Sequence, residues 1–95
     1  RAAALTQALA PLAQHPKVAH FRQQGMIWAF DAIVQDPAQA ATFSRRFFST
    51  ALEHELLVRP IGTTVYLMPP YVLDEQETQL LATRLHQVFE HVIQP

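Results

Sequence analysis

The chain has 95 residues, of which 49% are hydrophobic and only 16% are charged, and its formal net charge is −1 at pH 7. This length suits one small domain over residues 1–95, and the near-neutral charge with scattered arginines argues against nucleic-acid binding, which needs clustered cations. No apolar run is long enough to span a membrane, and the absence of cysteine excludes a disulfide framework and thiol catalysis and favours the cytoplasm.

The first predicted element is a helix over residues 3–14. Leu5, Leu9 and Leu12 recur at helical spacing in an alanine-rich background, which indicates one buried helical face. The helix is expected to end before Pro16, because the residue that precedes a proline is driven out of the α region.

A strand region follows between residues 18 and 33. The run from Met26 to Phe30 is compact, apolar and rich in strand formers. Gly25 precedes it, and a glycine at such a position indicates a bulge or a close approach of the backbone. Trp28, inside the run, is predicted to lie in the core rather than to stack on a ligand.

The second helix begins with a clear start signal. Asp36 is predicted as its N-cap and Pro37 as its first helical residue, and the helix should run to about His54 or Glu55. Its apolar face is predicted from residues at helical spacing, namely Ala41, Phe48, Ala51 and Leu52.

Two short strands are predicted next, over residues 56–58 and 64–67. They flank the turn-like sequence at residues 59–62. The consecutive prolines Pro69 and Pro70 must then leave the sheet, because proline cannot donate to a strand ladder.

The last helix opens with Asp74 at the cap and Glu77 three residues later, which is the spacing of a capping box. Its buried side is predicted to consist of Leu81, Leu85, Val88, Phe89 and Val92. The element order predicts an α+β fold with a small, mostly antiparallel sheet packed against helices.

The histidines do not form a metal-binding pattern. His54-Glu55 begins like a zinc-protease motif, but position 58 is a valine, so the second ligand is missing. His86 and His91 lie about 140° apart around a helix and do not share a face. We therefore expect solvated helix histidines and no metal site.

Other catalytic patterns are missing as well. The sequence contains only two glycines, Gly25 and Gly62, which excludes a glycine-rich phosphate loop. Ser44 and Ser49 lie in a predicted helix without a histidine or carboxylate partner in a nucleophile arrangement, so a serine hydrolase is not expected.

Arg59 is the residue whose position suggests chemistry. It follows a predicted strand and precedes Pro60, at a strand end where a side chain is held firmly. A guanidinium group grips a carboxylate through two parallel hydrogen bonds, which a lysine cannot reproduce. The alternative from the residues alone is a surface ion pair, which stabilises a fold by about 0–1 kcal/mol.

The segment from residue 57 to 71, LVRPIGTTVYLMPPY, closely resembles a segment of the adenosylmethionine–8-amino-7-oxononanoate aminotransferases. These enzymes are class III, fold-type I pyridoxal-phosphate aminotransferases. Residues 22–31 resemble the strand that opens the C-terminal small domain of the same family, and residues 43–48 resemble the helix between the two segments. The resemblance extends from about His20 to Val92.

This resemblance implies a C-terminal small domain of an enzyme that transfers an amino group from S-adenosylmethionine to 8-amino-7-oxononanoate, on the way to biotin. It implies that Arg59 holds a substrate carboxylate, that Tyr66 lies in the substrate pocket and that Ile61 helps to form the wall of that pocket. It also implies a homodimer of the intact protein that acts on small-molecule substrates.

The catalytic machinery of the family has no counterpart in this sequence. The Schiff-base lysine, the aspartate at the pyridine nitrogen and the phosphate-binding residues belong to the large domain, and the single lysine here, Lys17, lies outside any matching motif. The resemblance therefore implies that pyridoxal phosphate is bound by a large domain of the same polypeptide and that this chain alone is inactive. Two alternatives stay open: the small domain of another class III aminotransferase that acts on ω-amino acids, or a freestanding, non-catalytic α+β binding module.

Overall fold

The computed structural model describes residues 2–69 and 73–94. Helices and strands alternate along these ranges as α1 Ala2–Ala8, α2 Ala10–Ala13, β1 Val18–Gln24, β2 Ile27–Ala32, α3 Pro37–Glu53, β3 Arg59–Ile61, β4 Thr64–Leu67 and α4 Glu75–Ile93. The strands form one sheet in the order β1-β2-β4-β3, and each neighbouring pair is antiparallel. The predicted α+β architecture with a small antiparallel sheet is confirmed.

The N-terminal helical region is divided, and the prediction of one helix over residues 3–14 is wrong in this respect. α1 and α2 are separated at Leu9, because Pro11 has no N–H to donate and its ring would clash with the carbonyl of an unbroken preceding turn. Leu5, Leu9 and Leu12 are all buried, as the spacing predicts.

A tight hairpin joins β1 to β2. Gln24 pairs with Ile27, so the turn consists of two residues, and its Gly25 has a φ of +58°. Primed two-residue turns need such a positive φ at their first position, and glycine adopts it without steric cost. Gly25 does not form a bulge. The β-bulge of this hairpin lies in β1, where the register shifts between Ala19 and Arg22.

The second hairpin starts later than predicted. Residues 56–58 are not a strand, and β3 begins at Arg59. Pro60 lies within β3 and is tolerated because β3 is an edge strand, where the missing N–H interrupts no ladder. Gly62, with a φ of +61°, forms the turn to β4. β4 ends at Leu67, so Pro69 lies outside the sheet as predicted, whereas Pro70 falls outside the described residues.

The buried face of α3 differs from the predicted one. The helix starts after Asp36 and ends at Glu53, as expected. Its buried residues are Phe43, Phe47 and Ala51, each one turn apart. Of the predicted face only Ala51 is buried, whereas Ala41, Phe48 and Leu52 are exposed. Two apolar rows lie side by side on this helix, and helical spacing alone does not distinguish them.

α4 begins with the predicted capping box. The Asp74 carboxylate accepts a hydrogen bond from the Glu77 N–H at 2.7 Å, and the Glu77 carboxylate accepts one from the Asp74 N–H at 2.9 Å. The buried side of the helix is formed by Thr78, Ala82, Leu85, Val88, Phe89 and Val92. Among the described residues, no helix combines the length and the hydropathy that a membrane crossing needs.

The sheet has one covered and one open face. Trp28, Phe30, Val65 and Leu67 are buried in the core on the face that the helices cover. The alternate residues of the strands form the opposite face, which we call the outer face. It contains Arg22, Ala29, Asp31, Arg59, Ile61, Thr64 and Tyr66.

Candidate functional site

The structure brings the three sequence-predicted site residues together on the outer face. Arg59 and Tyr66 are direct partners across β3 and β4, and Ile61 lies two residues beyond Arg59 on the same face, opposite Thr64. Directly paired residues project from the same side of a sheet, with their Cβ atoms about 5 Å apart. Arg59 and Ile61 are exposed, and Tyr66 is half-buried.

The row that contains Arg59 crosses all four strands. Tyr66 pairs with Ala29 and Ala29 pairs with Arg22, so the row reads Arg59, Tyr66, Ala29, Arg22. With strands about 4.8 Å apart, the backbones of the two arginines are separated by about 14 Å. Ala29, between Tyr66 and Arg22 in this row, has only a methyl side chain and is 4% exposed.

Arg22 is held by its own surroundings. Its guanidinium donates to the His20 carbonyl at 2.6 Å and lies 3.5 Å from the Asp31 carboxylate. Asp31 also accepts a hydrogen bond from the Thr64 hydroxyl at 2.8 Å and lies 2.8 Å from Nδ1 of His20. This arrangement depends on the bulge, where His20 has a φ of +55°.

The Asp31 carboxylate is kept ionised by these contacts. Burial by itself raises the pKa of Asp31, but the hydrogen bonds from Thr64 and His20, together with the positive charges of Arg22 and His20, outweigh it. The pKa of Asp31 therefore lies below its usual value of 3.8. A carboxylate in this state neutralises much of the charge of Arg22 and leaves that end of the row a poor anion site.

Arg59 has no such partner. Arg84 pairs with Glu55 at 3.6 Å, and the Arg46 guanidinium donates to Thr42, Gln39 and Val92. Among the described residues, the guanidinium groups of Arg45 and Arg59 take part in no hydrogen bond or ion pair. Arg59 is thus a cation of the outer face that no anionic group of the described residues neutralises, which suits it to bind an anionic ligand.

Arg59 also lines a groove between α3 and β3. The groove encloses about 520 Å³, which is within the range of small-molecule sites. Its lining is formed by Ser44, Arg45 and Phe48 of α3 and by Leu57, Val58, Arg59, Pro60 and Met68. It therefore combines two cations with apolar side chains, a combination that suits a carboxylate attached to an apolar body.

The sequence analysis did not identify the residues that neutralise Arg22 at one end of the row and leave Arg59 at the other end without an anionic partner among the described residues. Asp31 and Thr64 are far apart in sequence, and only the β2–β4 register places them side by side. The sequence analysis did not single out Arg45, which lines the groove beside Arg59. The available signal was the polar Asp31 in an otherwise apolar strand.

Among the described residues, neither the lysine nor the two glycines have the positions that a pyridoxal-phosphate site requires. Lys17 is exposed and lies before β1, at the opposite edge of the sheet from β3. A Schiff-base lysine needs a desolvated position next to the cofactor. Gly25 and Gly62 both lie in hairpin turns and not at a helix N-terminus, where a phosphate would bind. The described residues also contain no group of three metal-ligating side chains.

Comparison of the sequence with curated proteins finds related enzymes. The adenosylmethionine-8-amino-7-oxononanoate aminotransferase of Helicobacter pylori is 32% identical over 88 residues, which cover 93% of this chain and 20% of that protein. The enzyme of the same name from Synechococcus elongatus is 33% identical over 81 residues, or 85% of this chain and 19% of that protein. The chain thus spans about a fifth of the length of the curated relatives it matches. No family model matches the chain.

Comparison with solved structures identifies the same fold in transaminases. An omega-transferase from Vibrio fluvialis JS17 superimposes with a TM-score of 0.80 and 28% identity, over 96% of this chain and 23% of that one. A thermostable omega transaminase from Pseudomonas jessenii gives a TM-score of 0.80 and 26% identity, over 96% of this chain and 21% of that one. The chain therefore belongs to the aminotransferases, in which it corresponds to a domain of about a fifth of the full length.

Proposed function

We propose that residues 1–95 are the C-terminal small domain of a pyridoxal-phosphate aminotransferase of biotin synthesis. The reaction is the transfer of an amino group from S-adenosylmethionine to 8-amino-7-oxononanoate, which yields 7,8-diaminononanoate. The names of the curated relatives support this choice of substrates, since all three are named adenosylmethionine-8-amino-7-oxononanoate aminotransferase.

Arg59 is proposed to hold the substrate carboxylate. The observation that carries this role is that Arg59 lies directly opposite Tyr66 on an open sheet face, without an anionic partner among the described residues. A fixed guanidinium group orients a carboxylate through two hydrogen bonds, which positions the reacting carbon for the chemical step. Tyr66 would contact the substrate beside Arg59, and Ile61 would form part of the apolar wall.

The remaining parts of the enzyme are proposed to come from outside this chain. Pyridoxal phosphate, which supplies the electron sink for amino transfer when it is bound, would be held by a large domain of the same polypeptide. This assignment is supported by the exposed position of Lys17 and by the lengths of the relatives. We further propose that the intact protein is a cytoplasmic homodimer and that the isolated chain is inactive.

A second candidate is the small domain of an ω-amino acid aminotransferase. The solved structures that match the chain with TM-scores of 0.80 favour it, because two of them are named as omega-class enzymes. The two candidates share the proposed role of Arg59 and differ only in the substrates of the full-length protein.

The test compares the Arg59→Ala and Arg59→Lys variants of the full-length protein with the unaltered protein. We expect kcat/KM for 8-amino-7-oxononanoate to fall about 10²-fold in Arg59→Ala, as when a charged contact of about 3 kcal/mol is lost, and to recover only partly in Arg59→Lys. The cofactor absorbance should be unchanged. Arg84→Ala, which removes a surface arginine that already has a partner, serves as the matched control.

Each outcome of this test has a clear meaning. If Arg59→Ala leaves the kinetics unchanged, Arg59 does not hold the substrate carboxylate and is an ordinary surface cation. If the unaltered protein turns over ω-amino acids but not 8-amino-7-oxononanoate, the second candidate replaces the first.

A further inference from the structure

A second groove lies between α3 and the C-terminal end of α4, and we call it the α3–α4 groove. It encloses about 380 Å³, a volume at the lower end of the range of small-molecule sites. Val92 is the one apolar residue among the described residues that line it, and the polar ones are Arg45, Arg46, Ser49, Thr50, His91 and Gln94. No carboxylate lies among these lining residues, so the groove carries a positive charge.

The side chains of this groove are rich in hydrogen-bond donors. An arginine side chain has five N–H groups and no acceptor, and serine, threonine and glutamine side chains can donate as well. Arg45, Ser49 and Gln94 are exposed, so their polar ends are accessible to a ligand. Many donors beside two guanidinium groups suit an anion with several oxygen atoms.

Arg46 reduces the main obstacle to an anion at this place. The C-terminal end of a helix carries a partial negative charge, which repels anions. The Arg46 guanidinium donates to the Val92 carbonyl of α4 at 3.1 Å, and it is fixed by bonds to the Gln39 carbonyl at 2.9 Å and the Thr42 hydroxyl at 3.0 Å. Its positive charge therefore offsets the end of α4. Since these bonds use three of its five N–H groups, two remain for a ligand.

Arg45 supplies a charge that the described part of the chain does not compensate. Its guanidinium has no hydrogen-bond or ion-pair partner there, unlike that of Arg46. Ser49 follows Arg45 by four residues on α3, so the two side chains are neighbours on one face of the helix, and both line the groove. A guanidinium group binds two oxygens of one anion through parallel N–H bonds, and a hydroxyl beside it can donate to a third oxygen.

A phosphate group suits these donors better than a carboxylate group does. A phosphate monoester carries a charge of about −1.5 to −2 at pH 7 and has three strong acceptor oxygens, whereas a carboxylate has a single charge and two oxygens. The donors belong to two helices, Arg45 and Ser49 to α3 and Gln94 to the end of α4, which matches an acceptor whose oxygens point in several directions. The volume of the groove leaves room for a small organic group on the phosphate.

We propose that the α3–α4 groove binds the phosphate group of a small phosphate monoester. Arg45 is its main ligand, the Ser49 hydroxyl donates beside it, and Arg46 supplies the second positive charge. The site goes beyond the proposed function, because it lies between two helices and not on the open sheet face that carries Arg59 and Tyr66. Arg45 borders both this groove and the one beside Arg59, so the test has to distinguish the two places.

The experiment titrates glycerol 3-phosphate, inorganic phosphate and acetate into the 15N-labelled 95-residue chain at fixed ionic strength, since salt screens exposed charges. We expect the amide signals of Ser49, Thr50 and Gln94 to shift along a saturable curve with both phosphates. Arg45→Gln should weaken binding at least about tenfold, because it removes the charge and the paired N–H groups, and Ser49→Ala should weaken it about threefold. Both residues are exposed, so these variants keep the fold. Arg84→Gln and Arg59→Gln should leave the affinity unchanged.

Several results would overturn the proposal. If Arg59→Gln weakens binding as much as Arg45→Gln does, the phosphate binds beside Arg59 and not in the α3–α4 groove. Acetate that binds as tightly as the phosphates, or shifts that do not saturate, would show that the groove has no phosphate site. Tighter binding of glycerol 3-phosphate than of inorganic phosphate supports a monoester, and the reverse order identifies the free ion as the ligand and contradicts the organic part of the proposal.

A second measurement uses the full-length protein with its cofactor bound. Phosphorus NMR follows the line width of free glycerol 3-phosphate, which should broaden with the unaltered protein and much less with Arg45→Gln. Equal broadening by both proteins, or none by either, contradicts the site in the longer polypeptide. Neither measurement involves turnover, so the outcome is independent of the proposed reaction.

Discussion

Phe47 and Phe48 are neighbours on α3, but Phe47 is fully buried and Phe48 is 43% exposed. Successive residues of an α-helix point about 100° apart, so Phe47 can face the core while Phe48 points away from it. Phe47 stacks in a tilted arrangement with Phe43 at 5.5 Å between ring centroids, inside the core cluster. Phe48 instead lines the groove between α3 and β3. Phe47 thus belongs to the buried apolar row of the helix, and Phe48 belongs to the exposed one.

The first prediction concerns this pair. Phe47→Ala should lower the free energy of unfolding of the 95-residue chain by about 3–5 kcal/mol, because it leaves a cavity in the core. Phe48→Ala should lower it by less than about 1 kcal/mol, since much of this side chain is already in contact with water. Urea unfolding followed by circular dichroism measures both values. Equal losses would mean that the two rows of α3 are assigned incorrectly.

A second prediction addresses the hydrogen bond from the Trp28 indole N–H to the Thr6 hydroxyl, which is 2.8 Å long. Trp28 is buried, so Thr6→Val leaves its N–H without an acceptor, and we expect a loss of about 1–3 kcal/mol in the free energy of unfolding. Thr6→Ser retains the hydroxyl and should restore most of this stability. Thermal unfolding monitored by the fluorescence of this single tryptophan provides the measurement. A stable Thr6→Val variant would show that the indole has another acceptor.

The third prediction is a dependence of stability on pH through Asp31. Since the pKa of Asp31 is lowered in the folded protein from 3.8, its contribution to stability is fully present well above that value and is lost as the pH falls through the folded pKa. The difference in unfolding free energy between the unaltered chain and Asp31→Asn should therefore be largest above about pH 5 and should shrink at lower pH. Denaturant titrations at several pH values measure it.

Thr64→Val provides the matching test for the cause of this effect, since it removes the hydroxyl that donates to Asp31 at 2.8 Å. The pH dependence attributable to Asp31 should become weaker in this variant and should return in Thr64→Ser. If Thr64→Val retains the full dependence, the hydrogen bond from Thr64 is not what stabilises the ionised carboxylate.

A fourth prediction concerns the start of α4. Asp74→Ala removes the carboxylate that accepts from the Glu77 N–H, and we expect it to lower the free energy of unfolding by about 1 kcal/mol. Glu77→Ala should cost less, because it removes only the reciprocal bond to the Asp74 N–H. Glu75→Ala is the control: Glu75 lies in the first turn without a capping bond, so only its favourable interaction with the helix dipole is lost, worth a few tenths of a kcal/mol. A cost for Glu75→Ala equal to that of Asp74→Ala would contradict the capping role.

The sequence was sufficient wherever a local rule decides the structure. The start of α3 at Asp36-Pro37 and the capping box of α4 were both predicted, because each depends on a local feature: the fixed backbone angle of Pro37 in α3, where Asp36 makes no side-chain capping bond, and two reciprocal hydrogen bonds in α4. It was insufficient where two local rules compete. The proline at position 11 outweighed the leucine spacing and divided the first helix, and the second hairpin began at Arg59 because an edge strand tolerates Pro60.

For the candidate site, the sequence by itself determined the residue types: a lone arginine before a proline, a tyrosine seven positions later, and their resemblance to an aminotransferase segment. Only the tertiary structure decided that Arg59 and Tyr66 lie side by side and that Asp31 neutralises Arg22 but not Arg59. The physical reason is that strand register and helix facing are set by packing between segments distant in the chain. That packing, and not the local sequence, decides which side chains are neighbours across a sheet. It therefore also decides whether a charged side chain such as Arg59 has an oppositely charged neighbour.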